Sequence, residues 1–198
     1  MKEISQNEIK EILQSGHLNF LLGSGCSQPY LPILNDIEQR MNVEATREQA
    51  QKDYYIAINK SKSILDESLE KDPVAISKLK LTKANYERFA SNLAALLSNR
   101  RLQIVNKQVN IFTTNFDMFL EAACESMEVP YNDGFAGQIK RTFRVSNFNK
   151  IQKYKSLQFD NTSDIPLLNI LKLHGSTSWT NAANDADVQY SSGDHIPR

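Results

Sequence analysis

The sequence predicts an open, parallel α/β sheet with helices on both faces. Three short apolar runs, at residues 18–22, 109–113 and 167–173, have strand character. Each stops at a short polar stretch: Gly23-Ser24-Gly25-Cys26-Ser27, Thr114-Asn115-Phe116-Asp117 and His174-Gly175-Ser176. Helical sequence separates the first two runs, and strand–helix alternation implies parallel pairing. In such sheets ligands bind outside the carboxyl ends of the strands. The three polar stretches are therefore expected to line one crevice although they lie far apart in the chain.

The elements follow in order. Residues 5–14 read as a helix, because Ser5 and Glu8 have capping-box spacing and Gly16 follows as a stop. The run into Gly23 looks like a buried parallel strand entering a tight turn. From about 34 to 101 the pattern is helical, with a polar stretch at 47–70, and Pro73 separates two helices. Tyr86, Phe89, Ala90, Leu93, Leu96 and Leu97 share one apolar stripe. The run 109–113 is β-branched and aromatic, as strands are, and a helix over about 118–127 follows it, with Pro130 past its end. Residues 134–159 hold six Lys/Arg and no acid, with aromatics interleaved, and read as a basic β-hairpin. The third strand follows, and the residues from 181 onward are polar and irregular.

Composition narrows the function classes. A length of 198 residues suits one domain, 1–198. Lys+Arg and Asp+Glu are both 23, which argues against a dedicated, strongly basic nucleic-acid binder. No run of about 18 apolar residues is present, so no transmembrane helix is expected. The first residues lack a signal-peptide layout, which points to a cytoplasmic protein. Cys26 and Cys124 are the two cysteines, too few for a disulfide framework or a four-cysteine zinc site.

Each polar stretch has a chemical and a purely structural reading. Gly23 and Gly25 let backbone approach a ligand, and free N–H groups in such a turn cradle phosphate oxygens; a plain strand-to-helix turn looks the same. Position 28 is Gln, so the GxGxxG pattern is incomplete. Asn115 can hold a water or a ribose hydroxyl and Asp117 can brace a loop, although Asn and Asp also serve as turn and cap residues. His174 is placed for general-base work near neutral pH, against the alternative of a structural histidine. His17 and His195 have no metal-ligand spacing to it. Lys140, Arg141, Arg144, Lys150, Lys153 and Lys155, with Phe143, Phe148 and Tyr154, would suit nucleic-acid contact, or else a solvated hairpin or an oligomer contact.

The runs LNFLLGSGCS, NIFTTNFD and NILKLHGS, in this order, resemble the motifs of the sirtuin-like NAD-binding family. Gly23–Ser27 is similar to that family's Gly-Ala-Gly-X-Ser loop, with Ser24 in place of Ala. Thr114–Asp117 is similar to its (Gln/Thr)-Asn-(Ile/Tyr)-Asp motif, and His174-Gly175 to its His-Gly pair. Asp133-Gly134-Phe135 also resembles the prokaryotic branch. A helical insertion at about 45–101 and the basic hairpin at about 134–159 resemble the bacterial anti-phage members, which hydrolyse NAD and starve the infected cell.

The resemblance implies a Rossmann-like sheet and NAD as substrate. It assigns Asn115 to orienting the ribose or the attacking water, and His174 to the base. It places Gly23, Ser24, Gly25 and Ser27 on the pyrophosphate, Thr114 and Asp117 beside the Asn115 loop or the nicotinamide, and Gly175 and Ser176 beside His174. It implies a homo-oligomer and a HerA-type hexameric ATPase as partner. It also implies a further adenosine-side strand, so the chain reads as truncated at its C-terminus. The deacetylases' four zinc cysteines and the arginine of their substrate loop are missing, so a protein deacetylase and a nucleic-acid-binding subunit are weaker readings than NAD hydrolysis. A sirtuin-like module that senses NAD or ADP-ribose, or scaffolds, without turnover is the main alternative.

Zinc is expected to be absent. Elemental analysis should find no stoichiometric zinc and chelators should leave the fold intact; zinc lost together with structure would refute this.

Overall fold

The computed structural model of the chain describes residues 4–100, 105–158, 161–181 and 188–190. The expected ends of the helical segment at Arg101 and of the basic segment at Phe159, as well as His195, lie outside the described residues.

Helix α1 (Gln6–Ser15) leads into strand β1 (Leu18–Leu22). Ser5 and Glu8 form the expected capping box at the start of α1. A single 3₁₀ turn, Ser24–Ser27, follows β1. Helices α2 (Leu34–Met41), α3 (Glu44–Ser61) and α4 (Pro73–Ser98) then carry the chain to β2 (Gln108–Thr113). Pro73 occupies the first turn of α4, where no N–H is needed, and the Asp72 carboxylate accepts from the amides of Val74 and Ala75. Helix α5 (Phe119–Ser126) links β2 to β3 (Tyr131–Asn132). Short strands β4 (Phe135–Ala136), β5 (Thr142–Phe143), β6 (Lys153–Lys155) and β7 (Thr162–Asp164) precede β8 (Leu167–Lys172), and β9 (Trp179–Asn181) and β10 (Val188–Tyr190) follow it.

Strands β1, β2, β8 and β3 form one parallel sheet in that order, flanked by helices. One face of it is the core. Val109 and Ile111 of β2 and Leu168 and Ile170 of β8 pack against Leu79, Tyr86, Ala90, Leu93 and Leu97 of α4 and Phe119, Ala123 and Cys124 of α5. Burial pushes the Cys124 thiol up to about 12, so it is an inert core residue. The other face carries an amide ladder. Asn110 Nδ2 donates to Asn19 Oδ1 and Asn169 Nδ2 donates to Asn110 Oδ1, both at 3.0 Å. The three asparagines are in register, so a one-residue slip of any strand would break the ladder as well as turn the core face outward.

Two features depart from the expected pattern. Residues 134–159 do not form one hairpin: β4 pairs with β5, and β6 pairs with β7. A 3₁₀ turn, Val145–Asn149, separates the two pairs. The tail from 181 onward, expected to be irregular, supplies the last residue of β9 and all of β10, and β10 pairs with both β9 and β5 in a second sheet ordered β4-β5-β10-β9. A satellite aromatic core holds the second sheet together. Phe135 packs edge-on against Phe143, Trp179 and Tyr190 at ring separations of 5.5, 5.6 and 5.8 Å.

The crevice end of the parallel sheet is pinned by a buried ion pair. Lys172 Nζ lies 3.0 Å from Glu121 Oε1, with side-chain exposures of 3% and 6%. It also donates to the Asp117 carbonyl. Burial pushes the Glu121 carboxyl upward and Lys172 opposes that shift. Replacing one partner leaves a buried charge uncompensated. Lys172→Met is expected to lower the unfolding free energy by about 3–5 kcal/mol at neutral pH, and Lys172→Met with Glu121→Leu to recover most of it, by urea denaturation. A single variant as stable as wild type would show that the pair does not pin this end.

Candidate functional site

The carboxyl ends of β1, β2 and β8 carry the three polar stretches, and hydrogen bonds join them. The Thr114 amide donates to the Leu22 carbonyl (3.2 Å), and the Leu173 amide donates to the Thr113 carbonyl (2.8 Å). The chain then turns at Gly175, whose φ of +82° suits glycine. The Thr177 amide comes back to the Phe116 carbonyl at 3.0 Å. Ser176 Oγ donates toward that carbonyl at 3.4 Å and lies 3.0 Å from Ser178 Oγ. His174 is exposed on the bend between β8 and Gly175. The loop that carries it is thus stitched to the loop that carries Asn115.

Asn115, Asp117 and Ser27 form a buried polar cluster, 4%, 5% and 1% exposed. Ser27 Oγ donates to Asp117 Oδ2 at 2.6 Å, short enough for a charge-assisted bond. Asp117 Oδ1 accepts from the Phe119 amide at 3.2 Å. The Asn115 amide N–H donates to Thr113 Oγ1 at 3.0 Å. Asn115 Nδ2 donates to the Gly23 carbonyl at 3.0 Å and to Ser27 Oγ at 3.1 Å. A carbonyl only accepts, so the Gly23 oxygen fixes which end of the Asn115 amide is nitrogen. Asn115 Oδ1 is left buried with no partner. A buried acceptor without a donor calls for one. Beside it is a small hollow of about 10 Å³, lined by Ser24, Ser27, Leu31, Pro32, Ala57 and Phe116 among others. Pro32 and Ala57 also line a cavity of about 500 Å³ between α2 and α3.

The glycine turn is open. A Cβ on Gly23 or Gly25 would meet nothing within 4 Å. Gly23 has ordinary extended backbone, φ −109° and ψ 178°. Packing therefore demands neither glycine, as expected of a surface that a ligand approaches closely.

The resemblance places Ser27 on the pyrophosphate; its hydroxyl is enclosed and bonded to Asp117 and Asn115. The basic segment reads as interleaved cations and stacking aromatics, yet Phe143 lies 6.2 Å from Phe148 and 5.3 Å from Trp179 within the satellite core. Arg141 is paired with Asp133 at 2.7 Å and stacks over Tyr190 at 4.4 Å, and Lys153 faces Asp164 at 3.7 Å. Tyr154 stays exposed. Most of these aromatics hold the second sheet together and are not offered to nucleic-acid bases.

Tyr86 is the site residue that sequence reasoning missed. Its spacing puts it in the apolar stripe of α4, and it is the one member of that stripe with a polar side-chain atom. A buried tyrosine hydroxyl needs a partner, and that was the available signal. Among the described residues no group of His, Cys, Asp and Glu is arranged to hold a metal, and no helix is long and apolar enough to cross a membrane. Comparison with protein-family models and with curated proteins finds no match to this chain.

Gly25→Ala is expected to leave the unfolding free energy within about 0.5 kcal/mol of wild type, whereas Gly175→Ala, at positive φ, should lose about 1 kcal/mol or more, by chemical denaturation. Equal losses at both positions would show that Gly25 has a structural role.

Proposed function

We propose that this chain hydrolyses NAD at the bond between nicotinamide and ribose, as the resemblance of its three motifs to the sirtuin-like family implies. One observation carries the reading: Asn115, at the carboxyl end of a central parallel strand, has a buried, unpartnered carbonyl oxygen and lines a hollow beside an open glycine turn. That acceptor suits a water, a ribose hydroxyl or an amide N–H, each of which this reaction brings.

The chemistry needs little acid catalysis, because nicotinamide leaves as a neutral molecule. Breaking the C1′–N bond builds positive charge on the ribose, and water adds at C1′. The products are ADP-ribose, nicotinamide and a proton. In this reading Asn115 Oδ1 accepts from the attacking water or a ribose hydroxyl and holds it in line, and positioning of this kind is worth several orders of magnitude. His174, at the exposed mouth, takes the proton from the water or hydroxyl. Gly23, Ser24 and Gly25 lie against the pyrophosphate. Asp117 and Ser27 hold Asn115, and Thr114, Gly175 and Ser176 shape the two loops. NAD depletion on infection, a homo-oligomeric state and control by a hexameric ATPase belong to the same proposal and come with the resemblance.

Asn115→Ala and His174→Ala are each expected to cut nicotinamide release by about 10²–10⁴-fold without unfolding the protein. Their combination should add little more, because both act on one transition state. The assay measures nicotinamide and ADP-ribose by chromatography, on the intact protein with and without its ATPase partner. Undiminished release in both variants would eliminate the mechanism. NAD binding without release from wild type under every condition would favour the sensor.

A further inference from the structure

Tyr86 sits on α4, which carries none of the three polar stretches, yet its hydroxyl reaches two of them. Its Oη is 3.1 Å from Ser27 Oγ and 3.4 Å from Asn115 Nδ2. The side chain is 5% exposed. Its ring stacks on Phe119 at 5.3 Å and 7°, and the Phe119 amide donates to Asp117.

The hydrogen atoms of the cluster can be assigned. Ser27 has one proton, and it goes to Asp117. Ser27 Oγ then has only lone pairs for its other neighbours, so Tyr86 donates to it. Burial, then the Asp117 charge, push the phenol above its ordinary range, so it keeps that proton. Asn115 Nδ2 directs its two hydrogens at Gly23 and at the Ser27–Tyr86 pair. Every donor in the cluster is thereby committed, and the buried polar atom of the cluster left with no partner is Asn115 Oδ1.

We infer that Tyr86 is a positioning residue: its hydroxyl fixes Ser27, and through Ser27 holds the Asn115 amide in the orientation that leaves Oδ1 unbonded. The kinetic consequence rests on the proposed NAD hydrolysis, whereas the hydrogen-bond consequence does not. The helical segment between β1 and β2 then contributes to the site as well as to the core.

Tyr86→Phe removes the hydroxyl and keeps the stacked ring, and a thermal melt checks that the variant folds. The first measurement is hydrogen exchange of the Asn115 side-chain amide by NMR on the intact protein. Exchange about tenfold faster in Tyr86→Phe is expected, the scale of one lost neutral hydrogen bond. The second is steady-state kinetics with NAD. kcat should fall by up to about 100-fold while KM holds, because the group misplaced is the one that orients the reacting donor. Adding Tyr86→Phe to Ser27→Ala should cost little further, since Tyr86 acts through Ser27. Unchanged exchange, unchanged kcat, or full additivity with Ser27→Ala would overturn the inference. If Tyr86→Phe does not fold, exchange in Ser27→Ala decides: continued protection of the Asn115 amide would overturn the relay, and its loss would support it. If wild type releases no nicotinamide, the NAD-hydrolase reading fails, and the exchange arm alone upholds or rejects the role of Tyr86.

Discussion

The Asp117 carboxylate lies 5% exposed at the end of a central strand, and the protein must supply what water would have supplied. It does so from two directions. Ser27, after β1, donates to one oxygen, and the Phe119 amide at the start of α5 donates to the other. Lys172, at the end of β8, donates to the residue's backbone carbonyl and pairs with Glu121. Bonds to the side chain and the backbone of one residue, Asp117, thus draw together three strand ends that are separated by 90 and 55 residues in sequence. The parallel sheet makes this feasible, because it brings all three carboxyl ends to one edge.

The same arrangement decides which group is left for a ligand. Once Ser27 has given its proton to Asp117, the remaining bonds of the cluster have only one consistent direction. Asn115 is left with a buried, unbonded acceptor and no donor to offer. A ligand that presents an anion to this point is disfavoured, and one that presents a hydroxyl, an amide N–H or a water is favoured. Gly23 and Gly25 stand in open space beside it, and His174 stands exposed on a loop bonded to Phe116. The small hollow holds little as it stands, and the larger cavity that shares Pro32 and Ala57 with it adjoins on the α2–α3 side.

The parallel sheet was legible because β1, β2 and β8 are short, mostly apolar runs that each stop at a polar stretch, although β1 is only half-buried at the sheet edge and each run carries one Asn of the amide ladder. Helix α1 was legible from its capping box and the start of α4 from Pro73. Strand β3 was not, since two residues after a helix carry no periodicity and pair only because β8 needs a neighbour. The second sheet was missed for a related reason: its strands have two or three residues each, held by rings that come from positions 135, 143, 179 and 190. At the site, residue types and strand-end positions marked Asn115, Asp117 and His174 as candidates. They could not say that the Ser27 hydroxyl faces inward, which follows from the direction of the 3₁₀ turn. Nor could helical spacing show that the first residue of an apolar stripe donates a hydrogen bond into the polar cluster.

The central claim is that the cluster leaves one acceptor, Asn115 Oδ1, for a ligand donor. The most direct test is a high-resolution crystal structure of the intact protein with NAD, using the His174→Ala variant to slow turnover. The account predicts a water, ribose hydroxyl or carboxamide nitrogen within about 3.2 Å of Asn115 Oδ1, with the pyrophosphate against Gly23 and Gly25. NAD bound elsewhere, or a protein group capping Asn115 Oδ1 in the complex, would contradict it.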